Sequence, residues 1–574
     1  MDHKKVLAKA EEYIRLEKNR NFRDEVVNLI EKKDWDDLSD RFYTDLSFGT
    51  GGLRGVIGGG FNRMNPFVVT RATQGLANYV QKTEVAGKPS AVIAYDSRRF
   101  SGVFAEEAAL VFCGNGIKTY LFSALRPTPE LSFAVRRLNA TTGIVVTASH
   151  NPPEYNGYKV YWSDGGQIVP PHDTGIIGEV RKVATDIRRM DKKEALDSGM
   201  LVYIDDEIDA PYQEMIASHV LRPDIVKSYS KKVKVVYTPL HGTGAFHVEK
   251  ALSRMGIEVI TVPEQREPDG EFPTVGSPNP EESSAMEMAL ELGRREKADL
   301  IMGTDPDSDR IGIAVPKDGD FILLSGNQLG ALLADYIFSA LREQGKMPEN
   351  PAFIKTIVTT ELQALIARDF GAEVYDVLTG FKYIAEKIRQ FEEKGVQYIF
   401  GGEESYGFLV GTEVRDKDAV SAAAMTAEMT LYDISRGITV LDHLNDLYRR
   451  YGYFKEILIS KKYAGESGKQ IIQDLMKSLR ENPPEAIAGI PVKEIRDYLS
   501  GTFRIVSGEG GEGGIDLPSS NVLQFILEDS AVISARPSGT EPKIKIYASA
   551  RSEESSGTDQ KLEKIREFIS TLLD

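Results

Sequence analysis

Ser149, His150 and Lys159 stand close together in the polar segment TASHNPPEYNGYKVY (147–161), directly after an apolar run typical of a buried strand. A hydroxyl beside an imidazole and near an ammonium group provides the parts of an activated nucleophile or of a phosphate carrier. No Gly-x-Ser-x-Gly surrounds Ser149, which argues against a serine-hydrolase elbow. A purely structural turn made by the serine hydroxyl is the alternative interpretation. The Asn156-Gly157 pair predicts a tight turn within the same segment.

Three carboxylates alternate along a second loop, GTDPDSDR (303–310), at Asp305, Asp307 and Asp309. Such close carboxylates repel one another unless a cation compensates them. Ligands that are all oxygen favour a hard ion, Mg²⁺ before Ca²⁺. The spacing does not match an EF-hand, because no glycine stands at loop position six and no glutamate at position twelve. The sequence therefore predicts a magnesium site, with an exposed acidic turn as the alternative.

Two further loops carry polar groups between glycines. The loop GGEESYG (401–407) offers carboxylate and hydroxyl groups suited to sugar hydroxyls, although acidic surface turns are common. The loop RPSGTEPK (536–543) combines an arginine, two hydroxyls and an accessible backbone, which are the elements of an anion cradle. An ordinary β-turn with incidental polar residues explains the second loop equally well.

A strand–helix–strand–helix–strand pattern that recurs three times must position the first three of these loops. Its apolar runs predict strands near 91–96, 116–122 and 143–148; near 233–239, 256–262 and 298–305; and near 352–360, 371–377 and 396–405. The last strand of each copy ends in a polar loop, and open α/β sheets bind ligands at the carboxyl ends of their strands. The chain beyond about residue 450 predicts an α+β domain, with SGEGGEGG (507–514) as a solvated loop.

Composition limits the classes of partner. The formal net charge of −16 argues against nucleic acid and anionic membranes as partners. No apolar run approaches the length of a membrane-spanning helix, and the charged N-terminus does not resemble a signal peptide. The single cysteine, Cys113, fits a reducing cytoplasm and a place in a core. An anionic substrate therefore requires a local cluster of cations, a metal or backbone N–H groups.

The four loops, taken in order, resemble the α-D-phosphohexomutase superfamily over about residues 45 to 550. The segment FGTGGLRG (48–55) and the chain length resemble most closely the long-chain subgroup of phosphoglucomutases and phosphopentomutases, with Gly51 where relatives often have alanine. The resemblance implies an α/β fold of four domains around a central cleft, namely three repeated mixed-sheet domains and a C-terminal α+β domain. The expected boundaries are a helical packing extension at 1–46 and domains at 47–207, 208–324, 325–445 and 446–574.

The resemblance also implies roles for individual residues. Ser149 would carry the phosphate, with His150 and Lys159 as electrostatic and proton-transfer partners and with Arg54 and Arg310 close to the same centre. Mg²⁺ would be held by phosphorylated Ser149, Asp305, Asp307 and Asp309. The implied substrate contacts are Thr379, Gly380, Lys382, Glu403, Ser405, Arg536, Ser538, Gly539 and Thr540.

The activity that the resemblance implies is the reversible conversion of glucose 1-phosphate to glucose 6-phosphate. It would pass through a phosphoserine enzyme and glucose 1,6-bisphosphate as intermediate and activator. The same scaffold leaves three substrate alternatives: phosphopentomutase, phosphomannomutase and glucose 1,6-bisphosphate synthase. A phosphatase and a non-catalytic sugar-phosphate binder are alternatives of other classes. A cytoplasmic enzyme, monomeric or a small homo-oligomer, is expected.

Overall fold

The computed structural model describes residues 3–49, 51–84, 87–463, 465–508, 510–538 and 542–573. The chain divides into two compact units. The larger comprises Met1–Gly326 and Phe381–Gly437, and the smaller comprises Asn327–Gly380 and Ile438–Asp574. No helix in the described ranges is both long enough and apolar enough to cross a membrane.

The N-terminal residues form helices, as predicted: α1 (His3–Leu16), α2 (Arg20–Lys32) and α3 (Trp35–Phe42). Asn19 and Asp34 cap the second and third helices by accepting backbone hydrogen bonds. Tyr13 packs edge-on against aromatic rings of α3 and of the following segment. The buried carboxylate of Glu17 accepts a hydrogen bond from the backbone N–H of Phe67, 3.1 Å away. These helices thus pack into the core of the first α/β domain.

The first α/β domain holds a six-stranded sheet in the order β1-β5-β4-β2-β3-β6. Its elements are β1 (Gly52–Val56), α4 (Pro66–Lys82), β2 (Ser90–Tyr95), α5 (Ser101–Gly114), β3 (Lys118–Phe122), α6 (Thr128–Arg137), β4 (Thr142–Val146), β5 (Tyr155–Trp162), α7 (His172–Lys182), α8 (Lys192–Asp197) and β6 (Leu201–Ile204). Strands β2, β3, β4 and β6 pair in parallel, whereas β5 is antiparallel to both β4 and β1.

The second α/β domain has the strand order β11-β10-β9-β7-β8. Its elements are α9 (Asp206–Ser218), α10 (Pro223–Tyr229), β7 (Lys234–Thr238), α11 (Gly244–Arg254), β8 (Glu258–Thr261), α12 (Pro263–Arg266), α13 (Ser283–Glu296), β9 (Leu300–Thr304), β10 (Ile311–Lys317) and β11 (Asp320–Leu324). Strands β8, β7 and β9 are parallel, and the hairpin β10–β11 adds antiparallel strands at the edge.

The third copy of the pattern contributes elements to both units. They are α14 (Gly326–Glu343), β12 (Pro351–Thr356), α15 (Glu361–Asp369), β13 (Glu373–Val377), α16 (Phe381–Lys394), β14 (Gln397–Glu403), β15 (Gly407–Val410), α17 (Ala419–Ser435) and α18 (Val440–Tyr451). In the smaller unit β12 pairs in parallel with β13, and in the larger unit β14 pairs antiparallel with β15. Every strand predicted from the three repeats is confirmed.

The C-terminal domain is antiparallel, with the strand order β16-β23-β22-β21-β18-β19-β20 and with β17 paired to β18. Its elements are β16 (Tyr453–Lys462), α19 (Gly465–Glu481), β17 (Ala486–Ile487), β18 (Ile490–Asp497), β19 (Thr502–Ile505), β20 (Gly511–Gly514), β21 (Leu523–Leu527), β22 (Val532–Pro537), β23 (Lys543–Ser552) and α20 (Ser555–Leu573). The predicted fold class, three α/β domains with mixed sheets and a C-terminal α+β domain, is confirmed.

Two local predictions are wrong. Asn156 and Gly157 form no turn but lie inside β5, opposite Gly55 and Arg54 of β1. Glycine is needed there because a Cβ would stand 2.4 Å from the carbonyl oxygen of Thr147. Residues Gly511–Gly514 form a strand paired with β19 rather than a free loop, since backbone hydrogen bonds need no side chains.

Candidate active site

The larger unit brings together the loops that follow β4 and β9. Ser149 is buried, and its φ of 52° lies in the left-handed region that non-glycine residues seldom adopt. Its backbone N–H donates to Oγ1 of Thr147 at 2.8 Å, and its own Oγ donates to Oδ2 of Asp305 at 2.6 Å. The predicted phosphate carrier therefore lies against the first aspartate of the predicted metal loop.

Asp305, Asp307 and Asp309 lie at the carboxyl end of β9, and all three are buried. Their nearest carboxylate oxygens lie within 4.8 Å of one another. Oδ1 of Asp305 accepts hydrogen bonds from the backbone N–H groups of Asp309 (3.1 Å) and Arg310 (3.0 Å), which folds the loop back on itself. The loop is therefore an enclosed acidic cluster, and the alternative of an exposed acidic turn is wrong.

Two lysines approach this cluster from opposite segments of the larger unit. Lys159, on β5, lies 2.7 Å from Oδ2 of Asp307 and 3.1 Å from Oδ2 of Asp309. Lys417, in the segment between β15 and α17, lies 3.1 Å from the same Asp309 oxygen. Burial opposes both charges, but the aspartates raise the pKa of each lysine above its ordinary value. Both side chains therefore remain cationic at neutral pH.

The pKa values of two of the aspartates shift in different directions. Burial opposes ionisation of Asp307, yet Lys159 holds the pKa of this carboxyl group well below its ordinary range. Burial and the charges of its two neighbours raise the pKa of Asp305. Among the described residues, Oδ1 of Asp307 and Oδ1 of Asp309 are buried without a hydrogen-bond partner. Buried carboxylate oxygens that lack hydrogen-bond partners, within a donor set made only of oxygen, fit a hard divalent cation.

His150, Arg310 and Arg54 complete the surroundings of Ser149. Nδ1 of His150 lies 3.2 Å from Oγ of Ser149, and burial together with the charge of Arg310 lowers the pKa of the imidazole. Arg310 forms an ion pair with Glu281 at 2.6 Å. Arg54 donates from Nη1 to Oδ1 of Asn151 at 3.2 Å, so the glycine-rich segment reaches the same loop.

The predicted sugar loop (401–407) spans the end of β14 and the start of β15, and Glu403, the last residue of β14, is buried. The charge of Glu403 is among those that raise the pKa of Arg310 and of Lys417, the two cations that also face Asp309. Ser405 is half-buried in the same loop. Lys382 is the second residue of α16 and has a half-buried side chain, and burial lowers the pKa of its ammonium group.

The remaining predicted substrate residues belong to the smaller unit. Thr379 and Gly380 follow β13, and the Thr379 hydroxyl is buried without a hydrogen-bond partner in the described part of the chain. Arg536 lies in β22, where it pairs with Lys545 of β23. The backbone N–H of Ser538 donates to the carbonyl of Lys543 at 2.7 Å and closes the hairpin. Gly539 and Thr540 lie outside the described residues.

Three residues at the site did not emerge from the sequence patterns. Thr128 begins α6 and donates from Oγ1 to Oδ2 of Asp307 at 2.8 Å. Lys417 contacts Asp309. The aliphatic chain of Lys417 also packs against Gly407, where a Cβ would stand 2.0 Å from Cδ of the lysine. Arg98 donates to the backbone of the Ser149 loop. The only signal for Arg98 was its place just after a predicted strand, in the run DSRRF (96–100), where the ligand-binding edge of a parallel sheet lies.

Comparison with known proteins matches these observations domain by domain. Models of the phosphoglucomutase/phosphomannomutase family match residues 45–186 as α/β/α domain I, 210–319 as domain II, 325–451 as domain III and 475–567 as the C-terminal domain. A phosphoglucomutase of Staphylococcus aureus strain MRSA252 is 37% identical over 542 residues, which cover 91% of this chain and 92% of the relative. A phosphoglucomutase of Staphylococcus saprophyticus is 36% identical over 90% of this chain and 93% of its own length.

The crystal structure of parafusin, a phosphoglucomutase from Paramecium, shares the fold with a TM-score of 0.71 and 17% identity, covering 92% of this chain and 95% of that one. Fold and relatives together define an intramolecular phosphotransferase, a class of isomerase. The chain belongs to the phosphoglucomutase/phosphomannomutase family.

Proposed function

We propose that the protein is a phosphoglucomutase, which interconverts glucose 1-phosphate and glucose 6-phosphate through a phosphorylated Ser149. The observation that carries the proposal is the 2.6 Å contact between Oγ of Ser149 and Oδ2 of Asp305, at the edge of three buried carboxylates. A hydroxyl in this position can carry a phosphoryl group that faces both a cation and the lysines of the cluster. The names of the relatives support glucose as the sugar.

Mg²⁺ is the cation that this donor set fits best, and it would neutralise the phosphoryl oxygens during transfer. Asp305, Asp307 and Asp309 would hold it together with the phosphate on Ser149. Lys159 holds the carboxylates of Asp307 and Asp309 in place. Arg310 and Arg54 would add positive charge beside the reacting phosphate.

The reaction needs two transfers of opposite direction. In the first, the bond between phosphorus and Oγ of Ser149 breaks while a bond forms between phosphorus and the oxygen of the free sugar hydroxyl. The hydroxyl proton passes to the neutral imidazole of His150 and from there to Oγ of Ser149, while the cationic Lys159 acts as the electrostatic partner. The product, glucose 1,6-bisphosphate, turns over without leaving the enzyme. In the second, Oγ of Ser149 gives its proton to His150 and bonds to the other phosphorus, while the bond between that phosphorus and its sugar oxygen breaks. The sugar oxygen takes the proton from His150, and the monophosphate is released. The enzyme returns to its starting form with its phosphate replaced.

Sugar recognition would come from the residues that the family resemblance assigns to it. Glu403, Ser405, Lys382, Thr379 and Gly380 would contact the sugar. Arg536 and Ser538, with Gly539 and Thr540, would bind the phosphate that is not transferred. Because the sugar must bind in two orientations, each contact must serve either phosphate position. We further propose that the enzyme acts in the cytoplasm on free sugar phosphates, as a monomer or a small homo-oligomer, without nucleic acid or membrane partners.

A direct assay tests the proposal. Purified protein, Mg²⁺ and a trace of glucose 1,6-bisphosphate are incubated separately with glucose 1-phosphate, ribose 1-phosphate and mannose 1-phosphate, and each 6-phosphate or 5-phosphate product is quantified. The highest kcat/KM is expected for glucose 1-phosphate. A preference for ribose or mannose would instead identify a phosphopentomutase or a phosphomannomutase. Net accumulation of the bisphosphate in a parallel reaction supplied with an acyl phosphate as phosphoryl donor would identify a synthase. Sustained release of inorganic phosphate without isomerised sugar would identify a phosphatase.

A further inference from the structure

A single buried guanidinium group binds the backbone of the Ser149 loop at four points. Arg98 follows β2 and is 2% exposed. Its Nη1 donates to the carbonyl oxygens of Pro152 at 2.8 Å and Tyr155 at 3.1 Å. Its Nη2 donates to the carbonyl oxygens of Ser149 and Asn151. The four protons of the two terminal nitrogens therefore all serve one loop.

The surroundings of Arg98 fix the guanidinium group itself. The buried carboxylate of Asp96 lies 3.6 Å from Nε and also accepts a hydrogen bond from the backbone N–H of Arg98. The ring of Phe272 lies 5.0 Å from the guanidinium carbon, as in a cation–π contact. Phe272 has a φ of 47°, an uncommon backbone conformation that places this ring from the second α/β domain against the arginine.

We propose that Arg98 is a positioning residue for phosphoryl transfer: it holds the loop 149–155 so that Oγ of Ser149 points at the acidic cluster. The inference rests on the proposed function, since it assigns Ser149 as the group that must be aligned. The left-handed backbone of Ser149 is unfavourable for a residue other than glycine, so the loop needs an external restraint. Arg98 supplies that restraint through the Ser149 carbonyl and through three carbonyls of the residues that follow.

Only arginine can meet this geometry. A lysine has three donor protons on one nitrogen and cannot span four carbonyl groups on one loop. Replacement by lysine keeps the positive charge beside Asp96 but removes the two terminal guanidinium nitrogens that donate to the loop. The neighbouring Arg99 offers a matched control, because its exposed side chain contacts the same loop at one carbonyl, that of Pro153, 3.5 Å away, and otherwise pairs with Glu271 at 3.4 Å.

The experiment compares Arg98→Lys with Arg99→Lys in the full-length enzyme with Mg²⁺ and glucose 1-phosphate. For Arg98→Lys we expect kcat to fall by ~10²-fold, because small misalignments of reacting groups cost about that much, while KM changes by less than about threefold. We also expect the phosphorylated variant to lose more of its phosphate to water relative to sugar. Arg99→Lys should match the wild-type protein in all three quantities.

The ratio of transfer to sugar over transfer to water separates positioning from mere structural support. It is measured by mixing phosphorylated enzyme with glucose 1-phosphate and quantifying, in one turnover, inorganic phosphate against the sum of sugar bisphosphate and glucose 6-phosphate. A wild-type ratio and a wild-type kcat in Arg98→Lys would overturn the proposal. So would a variant that loses activity only through a raised KM or only in proportion to its unfolded fraction.

A second variant keeps the test decisive if Arg98→Lys does not fold. Phe272→Leu removes the ring beside the guanidinium group but leaves all four hydrogen bonds possible, and we expect a drop in kcat of roughly three- to tenfold at unchanged KM. Wild-type kcat and an unchanged transfer ratio in this variant would also count against the proposal. An inactive, unphosphorylated wild-type protein would contradict the proposed function itself, whereas active wild-type protein with insensitive variants would contradict this inference alone.

Discussion

Oγ of Ser149 lies 2.6 Å from Oδ2 of Asp305, although 156 residues separate the two in sequence. The serine follows β4 of the first α/β domain and the aspartate follows β9 of the second. Each stands at the carboxyl end of a parallel strand, where such sheets present their ligand-binding loops. The contact makes one site from two domains, and it places the proposed phosphate carrier against the proposed metal ligands.

Removal of the serine hydroxyl should abolish turnover without unfolding the protein. In Ser149→Ala we expect mutase activity to fall by at least ~10³-fold, because no other hydroxyl can replace the covalent carrier. Binding of glucose 1-phosphate, measured calorimetrically, should persist within a few-fold. Circular dichroism and the thermal midpoint serve as controls for the fold. Activity close to that of the wild-type protein would contradict the covalent mechanism.

Asp307→Asn should weaken the binding of the metal on which activity depends. The substitution removes a negative charge that Lys159 and Thr128 hold in place, so the concentration of Mg²⁺ for half-maximal activity should rise by at least about tenfold. Asp320→Asn is the matched control, since Asp320 is exposed in β11, where it pairs with Arg294 at 2.7 Å and accepts a hydrogen bond from the backbone N–H of Phe321 at 2.8 Å. If the two variants require the same concentration of Mg²⁺ for half-maximal activity, Asp307 is not a ligand of the metal.

Gly157→Ala should destabilise the first α/β domain. A Cβ at this position would stand 2.4 Å from the carbonyl oxygen of Thr147 and 2.9 Å from that of Leu53, and neither backbone atom can rotate away. We expect the free energy of unfolding to fall by about 1–3 kcal/mol in a urea titration. Gly178→Ala in α7, where nothing lies within 4 Å, should instead raise it by about 0.5–1 kcal/mol. The opposite order would contradict the packing described.

Glu130 should make stability depend on pH. This carboxyl group is fully buried on α6, its Oε2 lies 2.8 Å from Nε2 of His247, and Arg126 and Asp209 also face it. Burial raises the pKa of Glu130 from 4.5 to about 7, despite the opposing effect of His247. The folded protein thus binds this proton more tightly than the unfolded chain does. The resulting stabilisation is complete below pH 4.5 and is lost as the pH rises through about 7.

Glu130→Gln should remove this dependence. The free energy of unfolding of the variant minus that of the wild-type protein should increase by up to about 3 kcal/mol from pH 4.5 to pH 7.5, because only the wild-type protein loses the stabilisation from Glu130 as the pH rises. Urea titrations at several pH values measure it. Parallel curves for the two proteins would show that the carboxyl group does not titrate in this range.

The strands and the site loops were predictable because local patterns encode them. Each predicted strand is a short apolar run, and each site loop follows one directly, so Ser149 and Asp305 could be placed at strand ends before any coordinates. The prediction of a turn at Asn156-Gly157 was wrong, because the same dipeptide that favours a turn also permits close backbone contact inside a sheet. The strand Gly511–Gly514 has no side-chain pattern that could predict it.

Arg98, Thr128 and Lys417 escaped prediction for a different reason. Their roles depend on contacts with residues far away in sequence: Arg98 with the Ser149 loop, Thr128 with Asp307 and Lys417 with Asp309. A single arginine, threonine or lysine near a strand end carries no periodicity and no motif of its own. Only the three-dimensional arrangement distinguishes these side chains from ordinary surface residues.

Site mapping of the phosphoryl group during turnover tests the central claim most directly. Protein loaded with phosphate is mixed with glucose 1-phosphate that carries an isotopic label in its phosphate, quenched at intervals and digested for mass spectrometry. The account predicts that the label enters the peptide containing Ser149, on the serine itself, at a rate at least equal to kcat. Label that never enters the protein while glucose 6-phosphate forms, or label on another residue, would contradict it.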